Sequence, residues 1–393
     1  MKDIVIVGGG ACGLMAAITL AKREKSVTLL EKNSKLAKKI YASGNGKCNI
    51  TNKNLSIKNY HTSNPNFVKD ILNRCDFFRL KKIFSSIGIE IVEGDDGKFY
   101  PLSYDGGSVV KTLENYAKSL KVEIKLNSEV KDIEKKDEIF KLFLEEDEIL
   151  AKKVLICSGS TAHRKIGVSD LGFRVAQNFN IKLHDRFPSL VQLNSHDNEL
   201  KLASGVKIKS KVELSIDSQK VDFKEGDLLF TNYGLSGLTI LDLSYQISKA
   251  HIKGQSIRLD IDLLPFFSHD NLKTILQRRD KLQIDDLSLW LSPIINQKLH
   301  PLIFKNARLT SSSKVNNKVI NSLVYAIKKI KVDISSPRDS MFAEVEAGGV
   351  DLVQSTNIKN LYFGGEVLDV VGDRGGYNLH FAFASGLVLG ENI

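Results

Sequence analysis

Cysteine and proline are scarce in this chain. The four cysteines, Cys12, Cys48, Cys75 and Cys157, show no CxxC spacing and no paired framework. Their placement argues against a structural zinc or a thioredoxin-like dithiol and suits a reducing compartment, so the cytoplasm is the expected location. The seven prolines form no proline-rich linker, and neither an internal repeat nor a low-complexity tract is present. Eight histidines stand too far apart for a local HxxxH pair, so no metal site is expected. The apolar run Ile4–Leu20 is broken by four glycines and follows a nearly neutral Lys2–Asp3. It is too short for a membrane span and has the wrong flank for a secretory leader.

What is present is a chain of 393 residues, 42% hydrophobic, long enough for two or three domains with a substantial core. Its 56 Lys and Arg against 46 Asp and Glu give a net charge of +10, which would attract a polyanion. The basic residues are spread along the whole chain and form no dense block, no RNA-binding motif and no aromatic-rich platform for a single strand. The expected partner is therefore a small molecule, with neither nucleic acid nor a membrane.

Ile4–Val7 is a continuous apolar run, as in a buried parallel strand; glycines follow, and Leu14–Ala21 resumes with helix formers. Val27–Leu30, ending on Glu31, completes a βαβ unit. Further strands are expected at Val122–Leu126, Phe140–Leu144 and Val154–Cys157. From about Leu190 the segments alternate and are β-rich, from about His269 they have helical spacing, and the last stretch returns to strand, glycine turn and small-residue helix. The expected domains are a discontinuous dinucleotide-binding domain, 1–189 with 336–393, an inserted β-rich domain, 190–268, and an inserted helical subdomain, 269–335.

Gly8-x-Gly10-x-x-Gly13 lies after the first strand and opens a helix. The first glycine permits the tight turn, the second admits a pyrophosphate close to backbone, and the third lets helix and strand pack. Glu31 stands where a carboxylate accepts ribose hydroxyls, and its charge argues against a 2′-phosphate there. The segments "FGGEVLD" (Phe363–Asp369) and "GGYN" (Gly375–Asn378) form a second glycine-rich site ahead of a helix. A helix start there would stabilise negative charge on the pyrimidine edge of a flavin, with Glu366 reaching ribityl hydroxyls.

The opening "VIVGGGACGLMAA", the loop "SGNGKCNITN", "GKFYPLS", "FTNYGLSG", "EAGGV" and "LYFGGEVLDVVGDRGGYNLHFAFASG" run in order along nearly the whole chain. Together they resemble the flavoproteins of YhiN type, also called aminoacetone oxidase or BaiN-like FAD enzymes. The resemblance implies an α/β fold: a Rossmann-type domain holding FAD in the manner of glutathione reductase, with an inserted β-barrel-like and helical portion. It implies that Gly8, Gly10 and Gly13 line the pyrophosphate and that Glu31 meets the adenosine ribose, with Lys32 beside it. Lys39, Ser43, Gly44, Gly46, Lys47, Cys48 and Asn49 would follow the pyrophosphate, ribityl chain and flavin, and Val130 would meet adenine through backbone. Gly365, Glu366, Gly376, Tyr377 and Asn378 would form the carboxyl-terminal flavin site, and Gly159 belongs to the same set of contacts. The chain departs from the pattern in "CSGSTAHRKIGVSDLGFRVAQ", which has a single Gly159 after its strand and no proline.

No second GxGxxG marks a separate nicotinamide domain, so NAD(P)H is expected only as a transient reductant. The candidates for a catalytic side chain are Cys48, as a thiol with its pKa lowered by Lys47 or else a packed loop residue, and Tyr377, as a proton donor or a ring packed at the flavin. Tyr233 is a candidate for the substrate face, and Asp369 and Arg374 flank the carboxyl-terminal site. The expected activity is an FAD-dependent oxidoreductase that moves hydride between flavin N5 and a small organic substrate, by oxidation of an amine or amino-ketone or by reduction of a C=C bond. The alternative is an FAD-dependent RNA-modifying or RNA-binding protein.

Overall fold

A computed structural model describes residues 1–163, 168–279 and 284–393; residues 164–167 of the "CSGSTAHRKIGVSDLGFRVAQ" departure lie outside the described residues. The chain divides into two compact units, Met1–Arg186 with Val345–Ile393, and Phe187–Glu344.

In chain order the first unit contains β1 (Lys2–Val7), α1 (Ala11–Lys22), β2 (Val27–Leu30), the short strands β3 (Thr51–Asn52) and β4 (Lys98–Pro101), α2 (Gly106–Ser119) and β5 (Glu123–Lys125). It continues with β6 (Asp132–Lys136), β7 (Ile139–Phe143), β8 (Glu148–Ile156), β9 (Leu361–Phe363) and α3 (Tyr377–Asn392). The main sheet runs in the order β5-β2-β1-β8-β7-β6, with β9 also on β8. Its centre is parallel: β1 pairs with β2 and β8, β2 with β5, and β8 with β9. Every residue of β2 and the last four of β1 are buried, as expected for strands covered on both faces. In the antiparallel hairpin, β7 alternates half-buried and buried positions, whereas β6 buries only Ile133 among charged residues. Those charged neighbours are why β6 does not stand out in the sequence as an apolar run.

Helix α1 is buried from Ala11 to Leu20, because the sheet covers one side and α3 the other. The approach of the two helices depends on missing side chains. A Cβ on Gly386 would stand 2.2 Å from the Cys12 carbonyl oxygen, and one on Gly390 would stand 2.6 Å from Thr19 Cβ.

In the second unit, the β-rich and helical stretches expected as separate parts share one hydrophobic core, from Leu193 through Trp290 to Ile334. The strand Ile257–Asp262 pairs with Ile330–Asp333, a strand within the 269–335 stretch expected to be helical, so 190–268 does not hold the whole sheet. The unit also ends at Glu344, not at 335, and begins at Phe187. Among the described residues its seven-stranded sheet is an open path whose end strands are Ile330–Asp333 and Ser336–Pro337. Consecutive in sequence, these two ends require the sheet to curl back on itself.

His380, on α3, ties distant parts of the first unit together. Its Nε2–H donates to the Cys75 carbonyl (2.9 Å), which leaves Nδ1 to accept from the Thr51 hydroxyl (2.8 Å). Full burial lowers its pKa to about 4, against 6.5 for a free imidazole. Unfolded chains therefore bind more protons than folded ones between these values, and stability must fall as pH drops from 6.5 towards 4. The expected loss from this residue is about 3 kcal/mol, read from urea midpoints across that range. His380→Gln should flatten the slope; an unchanged slope would assign the acid sensitivity elsewhere.

Candidate functional site

The turn after β1 uses its three glycines in different ways. Gly8 has φ of 108°, and a Cβ there would lie 2.4 Å from the Cys157 carbonyl oxygen. A Cβ on Gly13 would meet the Gly8 carbonyl oxygen at 1.9 Å, so that glycine is required for packing. Gly10 has no described atom within 4 Å of its Cβ position, so this side of the turn is open. Gly10 also begins α1 without a side-chain cap, and the first turn of that helix carries no acid. The free N–H groups and the positive helix end therefore face open space that an anion can occupy. Beside this turn, the buried Ser158 Oγ has no protein partner, and Gly159, with φ of 74°, has nothing within 4 Å of its Cβ position.

Glu31 is held at the end of β2. One carboxylate oxygen accepts from Gly9 N–H (2.8 Å), and the other from Asn33 N–H (2.8 Å) and Asn33 Nδ2 (2.7 Å). The Glu31 carbonyl accepts from Ser128 N–H (2.9 Å), which brings the buried Val130 segment alongside. Lys32 is engaged with protein: its ammonium donates to the Val168 carbonyl and lies 4.0 Å from Glu129.

The loop Ser43–Asn49 is wound more tightly than its glycines alone suggest. Gly44, Asn45, Gly46 and Cys48 have φ of 59°, 56°, 86° and 59°. Cys48 sits under the loop with no exposed surface, its N–H bonded to the Ser43 carbonyl (2.9 Å). Burial pushes its thiol up to about 12, against a smaller lowering by the Ser43 hydrogen bond. Of the two readings of Cys48, a thiol lowered by Lys47 or a packed loop residue, the burial favours the second: desolvation raises the thiol and Cys48 anchors the loop. Lys47 itself is exposed, with its ammonium 6.0 Å from the centre of the Tyr104 ring.

The carboxyl-terminal segment meets this loop within the same unit. Asn52 Nδ2 donates to the Gly375 carbonyl (3.1 Å), and a Cβ on Gly376 would stand 2.6 Å from the Thr51 carbonyl oxygen and 2.8 Å from Asn49 Oδ1. That Asn49 oxygen is buried and has no protein partner. Gly376 begins α3 with φ of 100° and no side-chain cap. Tyr377 is 8% exposed and packs edge-on to Tyr60, and burial, with Asp373, raises its phenol pKa. The Asn378 side chain is spent on the preceding turn: Oδ1 accepts from Gly372 N–H (2.7 Å) and Nδ2 donates to the Gly372 carbonyl (2.7 Å). Any contact of Asn378 with a cofactor at the start of α3 would therefore be made through its backbone.

Glu366 is ion-paired with Lys39 (2.5 Å) and accepts from Ser160 Oγ (2.9 Å), while Gly365 N–H donates to Ser385 Oγ (3.0 Å). Ser160 is followed by Thr161, whose N–H and hydroxyl bond the buried Glu346 (2.9 and 3.0 Å), with Arg186 at 3.7 Å. Sequence reasoning assigned no role to Glu346; a carboxylate between apolar neighbours in "VEAGGV" was the available signal. Asp369 accepts from Ser63 N–H (2.9 Å), and in the second unit Tyr233 lies under the Arg338 guanidinium (4.0 Å).

Among the described residues, these segments bring together the uncapped starts of α1 and α3, the open Cβ positions of Gly10 and Gly159 and the buried oxygens of Asn49 and Ser158, which have no protein partner. These features fit a molecule with paired phosphates and a polar ring. Among the described residues no helix is long and apolar enough to cross a membrane.

The family model described as the HI0933-like protein Rossmann domain matches residues 2–392. A 3-dehydro-bile acid delta(4,6)-reductase of Clostridium scindens is 29% identical over 404 residues, covering 100% of this chain and 98% of that protein. A ribosomal RNA dihydrouridine synthase of Haemophilus influenzae is 30% identical over 402 residues, covering 98% of this chain and 96% of that protein. Among solved structures, the open conformation of a flavocytochrome c3 fumarate reductase aligns with all of this chain and 78% of its own, at 14% identity and a TM-score of 0.48.

The glycine geometry separates binding from folding. Gly10→Asp has space for its Cβ and should fold with near wild-type stability, yet bind a flavin dinucleotide at least about tenfold more weakly through charge repulsion. Gly13→Ala, which forces a methyl onto the Gly8 carbonyl, should lose about 1–3 kcal/mol of stability or more. Bound flavin absorbance and urea titration read the two effects; Gly10→Asp with full flavin content would show that nothing anionic occupies this turn.

Proposed function

We propose that this chain, which belongs to the HI0933-like Rossmann domain family, uses FAD to reduce a C=C bond conjugated to a carbonyl. The chain is a flavoprotein oxidoreductase with a Rossmann domain. Asn49 Oδ1 carries the assignment of FAD: a buried oxygen without a protein partner, at the junction of the Ser43–Asn49 loop and the start of α3, calls for a polar ring edge there.

FAD, when bound, supplies the hydride chemistry. The chain's own residues hold it. The open side of Gly10 and the start of α1 receive the phosphates, Glu31 accepts from ribose hydroxyls, and the Lys39–Glu366 pair with Ser160 faces the ribityl chain. The start of α3 offers its N–H groups to the pyrimidine edge, where negative charge grows on reduction. The Tyr377 phenol, protonated at neutral pH like any tyrosine and shifted further up by burial and Asp373, serves as a proton donor and not as a base.

The direction of the reaction is supported by the two relatives. A bile acid delta(4,6)-reductase and a dihydrouridine synthase both saturate a ring C=C conjugated to a carbonyl, although their substrates have little else in common. One hydride and one proton add across the bond, and NAD(P)H, oxidised in the same cycle, is the electron source. The second reading, an RNA substrate, draws on the activity of the Haemophilus relative and on the net charge of +10.

Anaerobic NADH or NADPH should bleach the flavin band of the FAD-loaded protein, and a conjugated cyclic enone should then restore it. A band that stays oxidised with both nicotinamides but bleaches with an amine or amino-ketone would overturn the reading in favour of an oxidase.

A further inference from the structure

We propose that Tyr104, stacked on Tyr100 and flanked by Lys47, forms the subsite that receives the substrate's ring. The inference rests on the reading above, that the substrate is a conjugated ring carbonyl. It adds the residues that recognise that ring and the charge the substrate must carry.

Strand β4 alternates: Phe99 and Pro101 are buried, whereas Lys98 and Tyr100 lie on the opposite face. That face borders both glycine segments of the cofactor site. Lys98 Cε is 3.7 Å from the Cβ position of Gly375, and Tyr100 Cε1 is 3.4 Å from that of Gly44. Tyr104 stacks on Tyr100, with ring centres 5.6 Å apart and planes at 28°. Tyr104 is 44% exposed and has φ of 49°, a left-handed conformation that bulky residues seldom adopt. The turn holds it there: Tyr104 N–H donates to the Pro101 carbonyl (2.8 Å), and Asp105 caps α2 through Gly107 N–H (2.9 Å) and Ser108 N–H (3.0 Å). An exposed aromatic ring in such backbone, beside a cofactor loop, marks a binding position more than a packing one.

The charges beside it differ in kind. Lys98 is paired with Asp96 (2.9 Å), whereas no carboxylate among the described residues lies within ion-pair distance of Lys47. An ammonium lying 6.0 Å from the Tyr104 ring centre can hold an anion at the side of a ring stacked on that surface. The chemistry received is therefore a flat conjugated ring carrying an anionic group. A uridylate within RNA and a ring-fused keto acid both have it.

The test titrates FAD-loaded protein with two probes, a fluorescein-labelled single-stranded oligouridylate and a 3-oxo-4-ene steroid acid, without turnover. For one of them Tyr104→Ala should weaken binding at least about fivefold, as loss of a stacked ring does, while Tyr104→Phe stays within about twofold of wild type. Lys47→Gln should weaken the same probe and flatten its salt dependence. The responding probe identifies the source of the ring. Wild-type affinity of Tyr104→Ala for whichever probe binds, or binding of neither probe by the unaltered protein, overturns the proposal. Reoxidation of reduced flavin by a neutral cyclic enone alongside such a result would leave the reduction reading standing.

Discussion

The architecture of the first unit depends on backbone approaching backbone at distances that exclude a Cβ. Gly13 against the Gly8 carbonyl, Gly8 against the Cys157 carbonyl and Gly386 against the Cys12 carbonyl would each place a methyl within 2.4 Å of an oxygen. Those contacts draw β1, α1, β8 and α3 together around one turn. Side chains larger than hydrogen would separate the helices, and the helix starts would no longer lie beside the same glycine segments. The conformational entropy that glycine costs is accepted here because the close approach is what builds the site.

Around that packed centre, polar groups are anchored in pairs that join remote parts of the chain. Thr51 with His380, Asn52 with Gly375 and Lys39 with Glu366 each link positions more than 300 residues apart. Buried groups of this kind are favourable only when satisfied. The network therefore holds the Ser43–Asn49 loop against the start of α3 and leaves very few oxygens, Asn49 Oδ1 and Ser158 Oγ among them, without a protein partner. Cys48 fits the same logic: its sulfur is sealed below the loop, so the loop turns over a fixed anchor while Lys47 remains outside.

The parallel βαβ opening was legible because its signals are local. A buried strand needs consecutive apolar residues, the turn needs glycine at set intervals, and Glu31 follows the second strand directly. The residues that were not legible depend on contacts across the chain. Glu346 lacks a local motif, and its partners Thr161 and Arg186 are remote in sequence. Asn378 stands in a segment full of cofactor-like signals, yet its amide closes a turn around Gly372. Tyr100 and Tyr104 are too few and too widely spaced to read as an aromatic platform, and only their stacking beside Gly44 makes them one. In the second unit the change from alternating to helical spacing suggested two parts; the strand Ile330–Asp333 makes them one by returning to pair with Ile257–Asp262.

Taken by itself, the sequence determined the Rossmann-type opening, the place of Glu31 and the return of the carboxyl-terminal glycines and helix, since these follow from periodicity and from residue types within a few positions of one another. Tertiary structure decided the rest: that Cys48 is sealed, that Asn378 is consumed, that Glu366 shares its charge with Lys39, and that two tyrosines meet a lysine at the edge of the site. The physical reason is that burial, desolvation and hydrogen-bond saturation are properties of surroundings assembled from distant segments.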